Sequence, residues 1–276
     1  MITIVSGKGA PGATTTLAAL AAAWPAPVVV ADCDPGGGDL AVGWLGQWVV
    51  DGTIRTDLGV LSHATATRHA TVSDPGTLLE HVQAVPIARH IELLAGLTGP
   101  GQHAAIDAAG WRRLTAELAA YRTRAGCPAD ALVDLGRYGA LTPWPLLLAA
   151  DLVLVAVRPT PRHLLAARPL LAELADRIVP ARLGLAVCAT TPAGSREVRT
   201  ALGREVAVEV SAEARAAAVF SDGADGGALP RRSPWLRSVR RAARRLHGTY
   251  HHYTPAELRT PTPPLASASL LAGGTR

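Results

Sequence analysis

Apolar residues in this chain fall into short unbroken runs separated by stretches of helical periodicity. Ile2-Thr3-Ile4-Val5 is one such run, stopping at Ser6-Gly7, and residues 28–31 form another. Between them, residues 14–24 are rich in Ala and Leu and end at Pro25, which has no N–H to continue a helix. A strand covered on both faces reads as continuous apolar residues, so this opening predicts strand, glycine-rich loop, helix and strand, a βαβ unit. The alternation continues, with apolar runs at 91–94, 131–133, 152–157, 183–187 and 206–210 and helical stretches at 105–121, 163–175 and 195–202. It predicts an α/β fold: a mostly parallel twisted sheet with helices on both faces and right-handed crossovers. Residues 36–88 break the rhythm and read as two short helices among loops.

After Ser233 the pattern changes. Trp235, Leu236, Val239, Ala242, Ala243 and Leu246 share one helical stripe, and Arg237, Arg240, Arg241, Arg244 and Arg245 lie opposite. Ser233-Pro234 supplies an N-cap and first-turn proline, and Gly248 a stop, so a basic amphipathic helix is predicted over 233–247. Residues 249–276, rich in Pro, Thr, Ser, Ala and Gly, read as a loosely ordered tail. Tyr250-His251-His252 within it read as surface residues rather than metal ligands.

With 276 residues, 49% of them hydrophobic and 18% charged, the chain can bury one large core. Residues 1–248 are therefore read as a single domain, and disordered and fibrous classes are excluded. Cys33, Cys127 and Cys188 lack CxxC spacing and indicate neither a disulfide framework nor a zinc site, which suits a reducing cytoplasm. Residues 17–31 are uncharged but too short for a membrane span, and Pro25 and Pro27 break them. A secretion signal is disfavoured because a strand precedes the first basic residue. Among 27 basic residues only Lys8 is a lysine, and Asn is absent. Where Arg serves wherever charge alone is needed, one retained Lys marks a place where a compact ammonium matters.

Lys8 lies in Gly7-Lys8-Gly9-Ala10-Pro11-Gly12-Ala13-Thr14-Thr15, between the first strand and first helix. Such a loop lets successive amides and a helix N-terminus converge on a phosphate. It resembles the phosphate loop of the MinD/ParA superfamily, P-loop ATPases whose deviant Walker A pattern carries an extra lysine near the loop's beginning. The resemblance implies ATP or ADP held by Gly7, Lys8, Gly9, Ala10, Pro11, Gly12, Ala13, Thr14 and Thr15, with Thr14 on Mg²⁺. It also implies that Lys8 reaches the partner's phosphates across a nucleotide-sandwich homodimer. The chain departs from GxxxxGK[ST] at position 13, where Ala13 stands for the lysine that reaches the β- and γ-phosphates. Losing that charged hydrogen bond weakens affinity by about ten- to a hundredfold.

Asp32-Cys33-Asp34-Pro35 closes the second strand. It is similar to the family's DxD-P segment, which implies that Asp34 orients the attacking water and that Asp32 helps hold the magnesium shell. The alternative is an Asx-type turn after a strand. Residues 131–136, an apolar run ending in Asp134, resemble the family's Walker B strand, which places Asp134 on Mg²⁺. The resemblance spans 1–246 in element order, and its wording is similar to actinobacterial MinD-like proteins of the CpaE/TadZ-like group. The family's adenine-reading Asn has no counterpart.

Two functions follow as expectations: a nucleotide-dependent dimerising switch that positions cargo such as a pilus or secretion machine, a division site or DNA, with weak hydrolysis; or a non-hydrolysing pseudo-ATPase scaffold that binds a protein partner. The basic helix has three readings: a solvated outer face of the domain, a membrane-surface helix using Trp235, or phosphate contact with DNA. The expected place is the cytoplasm, with peripheral membrane or nucleoid association under the last two.

Overall fold

The computed structural model describes residues 1–70, 75–223 and 233–250. In chain order the elements are β1 (Ile2–Ser6), α1 (Ala13–Ala22), β2 (Val28–Asp32), α2 (Leu40–Trp44), α3 (Gly46–Val50), α4 (Val60–Ala66), α5 (Pro75–Leu78), β3 (Gln83–Ala84), β4 (Ile91–Leu94), α6 (Ala108–Ala119), β5 (Asp130–Arg137), α7 (Trp144–Ala149), β6 (Leu152–Val157), α8 (Pro161–Ala175), β7 (Leu183–Thr190), α9 (Pro192–Leu202), β8 (Val206–Ser211), α10 (Ala214–Ser221) and α11 (Pro234–Tyr250). Short 3₁₀ turns precede α6 and β7.

The strands form one sheet in the order β3-β4-β2-β5-β1-β6-β7-β8. Every pairing is parallel except β3 with β4. β1 is therefore central, flanked by β5 and β6, and the loops after these strands meet at one edge. Along β6, Leu152, Leu154 and Ala156 enter the core on one face while Val153, Val155 and Val157 enter the core on the other. This period of two inside a continuous apolar run is why the strands show no polar alternation. α1, α2, α10 and α11 cover the first face; α4, α6, α7, α8 and α9 cover the second.

The α/β architecture matches the sequence expectation, and several details differ. Residues 36–88 hold four short helices among the described residues, not two. α7 and α10 and the antiparallel strand β3 carried no recognised signal. α6 begins at Ala108, because the Asp107 side chain accepts from the Gly110 N–H at 2.6 Å and caps it there. Ser233 does cap α11, accepting from the Leu236 N–H at 3.3 Å. Gly248, however, does not stop it: the helix runs to Tyr250, which packs against the core below. That contact offsets the ~1 kcal/mol helix penalty of a glycine. His251, His252 and the rest of the expected tail lie outside the described residues.

Candidate functional site

The loop of residues 7–15 leaves central β1 and turns into α1. A Cβ on Gly7 would stand 2.5 Å from the carbonyl oxygen of Ala166 in α8, so only glycine lets the loop begin there. Gly12, at φ 101°, occupies the left-handed region before α1 starts. No side chain caps α1. Its opening amides are thus donors without an internal acceptor, at the positive end of the helix dipole, the arrangement that takes an anion. Lys8 is exposed on the loop, and Ala13 is 6% exposed and belongs to the apolar core.

Beside this loop stand the carboxylates. Asp32 and Asp134 are direct neighbours in register across β2 and β5. Asp134 accepts from the Gly136 N–H at 2.8 Å, and Thr14 in the first turn of α1 favours its charged form. Asp32 is 1% exposed; its carboxylate accepts from the Leu40 N–H at 2.9 Å and the Asp34 N–H at 3.4 Å, pinning the chain that follows β2. Asp34 is half-buried, and its Oδ1 accepts from the Gly36 N–H at 2.7 Å. The Asx turn weighed as an alternative is therefore present, while Oδ2 lies over Gly136, where a Cβ would come within 1.8 Å.

Burial pushes the Asp32 carboxyl up to about 8, with Asp134 and Asp34 adding repulsion against the two amide bonds. Asp134 rises to about 6, again from burial first, with the Thr14 and Gly136 hydrogen bonds opposing. Asp34 and the Cys33 thiol are raised by burial as well. All of these shifts favour the uncharged forms, so the free site holds negative charge reluctantly. Among the described residues, no group of three or more His, Cys, Asp or Glu side chains is arranged to hold a metal. The Thr14 hydroxyl and Asp134 carboxylate are nonetheless hard oxygen donors, and Mg²⁺ typically takes one or two protein ligands and fills its shell with phosphate and water. The residues fit that ion.

Three groups at this edge carried no assigned role in the sequence reading. The Arg158 Nε–H, just beyond β6, donates to the Pro11 carbonyl at 2.9 Å. Arg162 and His163, in the first turn of α8, flank Gly9: a Cβ there would lie 3.5 Å from Arg162 Nη2 and 3.1 Å from His163 Nε2. Burial, then Arg158 and Arg162, holds the His163 imidazole below its usual value. The position of Arg158 after an apolar run was legible; that β6 would lie beside β1 was not.

No protein-family model matches the sequence, and no curated protein matches it. Solved structures do. A ParA family ATPase from Chlorobium tepidum superposes with a TM-score of 0.67 at 18% identity, covering 88% of this chain and 96% of that one. Pyrococcus furiosus MinD gives 0.66 at 14%, covering 90% and 98%. A Borrelia burgdorferi plasmid partition protein bound to AMPPNP gives 0.65 at 12%, covering 90% and 98%. The chain has the ParA/MinD fold.

On this ParA/MinD fold the basic helix α11 closes one face of the sheet. Trp235, Val239, Ala242, Ala243 and Leu246 are buried, and each large side chain so placed contributes about 1.5–3 kcal/mol. The surface-helix reading needs that apolar face for lipid, and the core already occupies it. Arg237, Arg240, Arg241, Arg244 and Arg245 point outward as expected, although Arg245 also donates to the carbonyls of Val206 and Ala207 at the sheet edge. No described helix is long and apolar enough to cross a membrane.

Proposed function

We propose that the chain binds ATP with Mg²⁺ on residues 7–15 and uses it to bring two copies together as a spatial-positioning switch in the cytoplasm. One observation carries this: an uncapped helix N-terminus under a glycine loop, beside the buried carboxyl pair Asp32 and Asp134, with Thr14 favouring the charged form of Asp134. The amides of the loop bind phosphate oxygens. Thr14 and Asp134 hold Mg²⁺, which supplies charge neutralisation at the phosphates. Asp32, bonded to two amides of the following segment, shapes the magnesium shell from behind. Asp34 orients water, and Lys8, exposed, is free to reach a second subunit's phosphates. The Borrelia protein of this fold holds AMPPNP, and Aquifex aeolicus MinD has been solved in a MinC:MinD complex, which supports a nucleotide and a protein partner. The cargo class is a pilus or secretion machine, a division site or DNA.

A second reading has its own support in Ala13: its methyl lies in the core, leaving the loop without its usual lysine. Under that reading the fold is a non-hydrolysing scaffold with nucleotide as a structural ligand. Calorimetric titration with ATP and ADP in Mg²⁺, paired with steady-state hydrolysis of wild type and Lys8→Ala, separates the two. Turnover abolished in Lys8→Ala is expected of the switch, and binding without turnover is expected of the scaffold. Absence of binding overturns both.

A further inference from the structure

Position 13 cannot deliver a cation to this loop. Ala13 has no charge, and its methyl is packed in the core. The loop nevertheless has a guanidinium at its side, brought there by the sheet rather than by the loop's own sequence. β6 pairs with β1 along its whole length, from Ile2 against Leu152 to Ser6 against Ala156. Arg158, two residues after Ala156, therefore emerges beside the start of the loop. Its Nε–H donates to the Pro11 carbonyl at 2.9 Å, and its Nη2 lies 3.9 Å from where a Cβ on Gly12 would stand. Among the described residues Arg158 makes no ion pair with a carboxylate, and neither does Arg162 one turn further on.

We propose that Arg158 replaces the missing loop lysine in cis: its Nε hydrogen bond fixes the guanidinium against Pro11 and leaves the terminal nitrogens to bind oxygens of the β- and γ-phosphates. A guanidinium suits this role because its planar fork matches two phosphate oxygens, and a donor already bound to the backbone is pre-organised. The charge that the loop forfeits at Ala13 returns from the neighbouring strand. This rests on the nucleotide reading above.

The test is calorimetric titration of the full chain with ATP, ADP and AMP in Mg²⁺, comparing wild type with Arg158→Gln. Gln places a nitrogen donor where Arg158 has Nε, so the Pro11 bond can persist while the charge and terminal nitrogens go. Arg158 is exposed, and a urea midpoint confirms that the variant folds. The expected result is an about ten- to a hundredfold weaker ATP and ADP affinity, with AMP little changed. Wild-type ATP affinity in Arg158→Gln, or equal losses for AMP and ATP, overturns the proposal and leaves the nucleotide reading standing. A wild type that binds no nucleotide overturns the reading itself.

Discussion

At the carboxyl ends of β2 and β5 the fold brings two acids together under nearly complete burial; between α4 and α6 it brings a base and an acid together under the same burial. Asp32 and Asp134 are each 1% exposed, and both are raised by burial and by neighbouring carboxylates. His63 and Glu117, at 0% and 1%, meet directly, Nε2 to Oε1 at 3.0 Å, and the His63 ring stands edge-on to His81, which bonds Ser62 at 2.9 Å. The physical difference is complementarity. The second cluster sets an acid against a base and joins α4 to α6 through the His63–Glu117 contact, although His63 Nδ1, His81 Nε2 and Glu117 Oε2 are buried without a hydrogen-bond partner among the described residues. The first sets acid against acid: backbone amides bond both carboxyls, yet burial and mutual repulsion favour their protonated forms, and a bound cation would favour the charged ones. Burial of polar groups alone does not mark a functional site; what sets the first cluster apart is that its buried acids face one another beside an anion-binding loop.

The largest expected effect tests the acid–base cluster. Glu117→Ala leaves His63 without its partner and opens a space in the helical layer, at a cost of about 3 kcal/mol in urea denaturation. A loss below ~1 kcal/mol means that the pair does not hold the helices together. Next, Asp134→Asn removes an ionisable carboxyl from the acid–acid cluster while keeping an acceptor for the Gly136 N–H. The free protein should stay within about 1 kcal/mol of wild type or exceed it, and the extra thermal stability conferred by ATP with Mg²⁺ should vanish. A free-protein loss as large as that of Glu117→Ala erases the contrast between the clusters.

The smallest effect concerns acid. Burial, then the neighbouring His63, holds His81 below the usual histidine value, with Glu80 and Glu117 opposing. A histidine whose folded value lies below its unfolded one of about 6.5 binds more protons unfolded, so its contribution to stability falls as pH drops through that value. The stability difference between wild type and His81→Gln, measured from pH 7.5 down to 5.5, should therefore shrink on acidification. Other groups largely cancel in that difference. A gap that widens toward acid reverses the assignment.

Much of this was readable from the residues in order. Continuous apolar runs announced strands covered on both sides, Pro25 ended the first helix, and Gly7 to Thr15 announced an anion loop, because each of these signals is local: a few successive residues set the backbone and the burial pattern. The roles of Trp235 and Arg158 were not local. Trp235 on a basic helix looks the same whether it meets lipid or a sheet, and only packing onto the sheet beside β8 decided for the core. Tyr250 likewise carried α11 past Gly248 through a contact with residues distant in the chain. Arg158 follows an ordinary strand, and it reaches the loop only because β6 takes the place beside β1. The sequence by itself determined the elements and the phosphate loop; strand order, a property of the whole sheet's packing, decided which distant side chains stand around that loop.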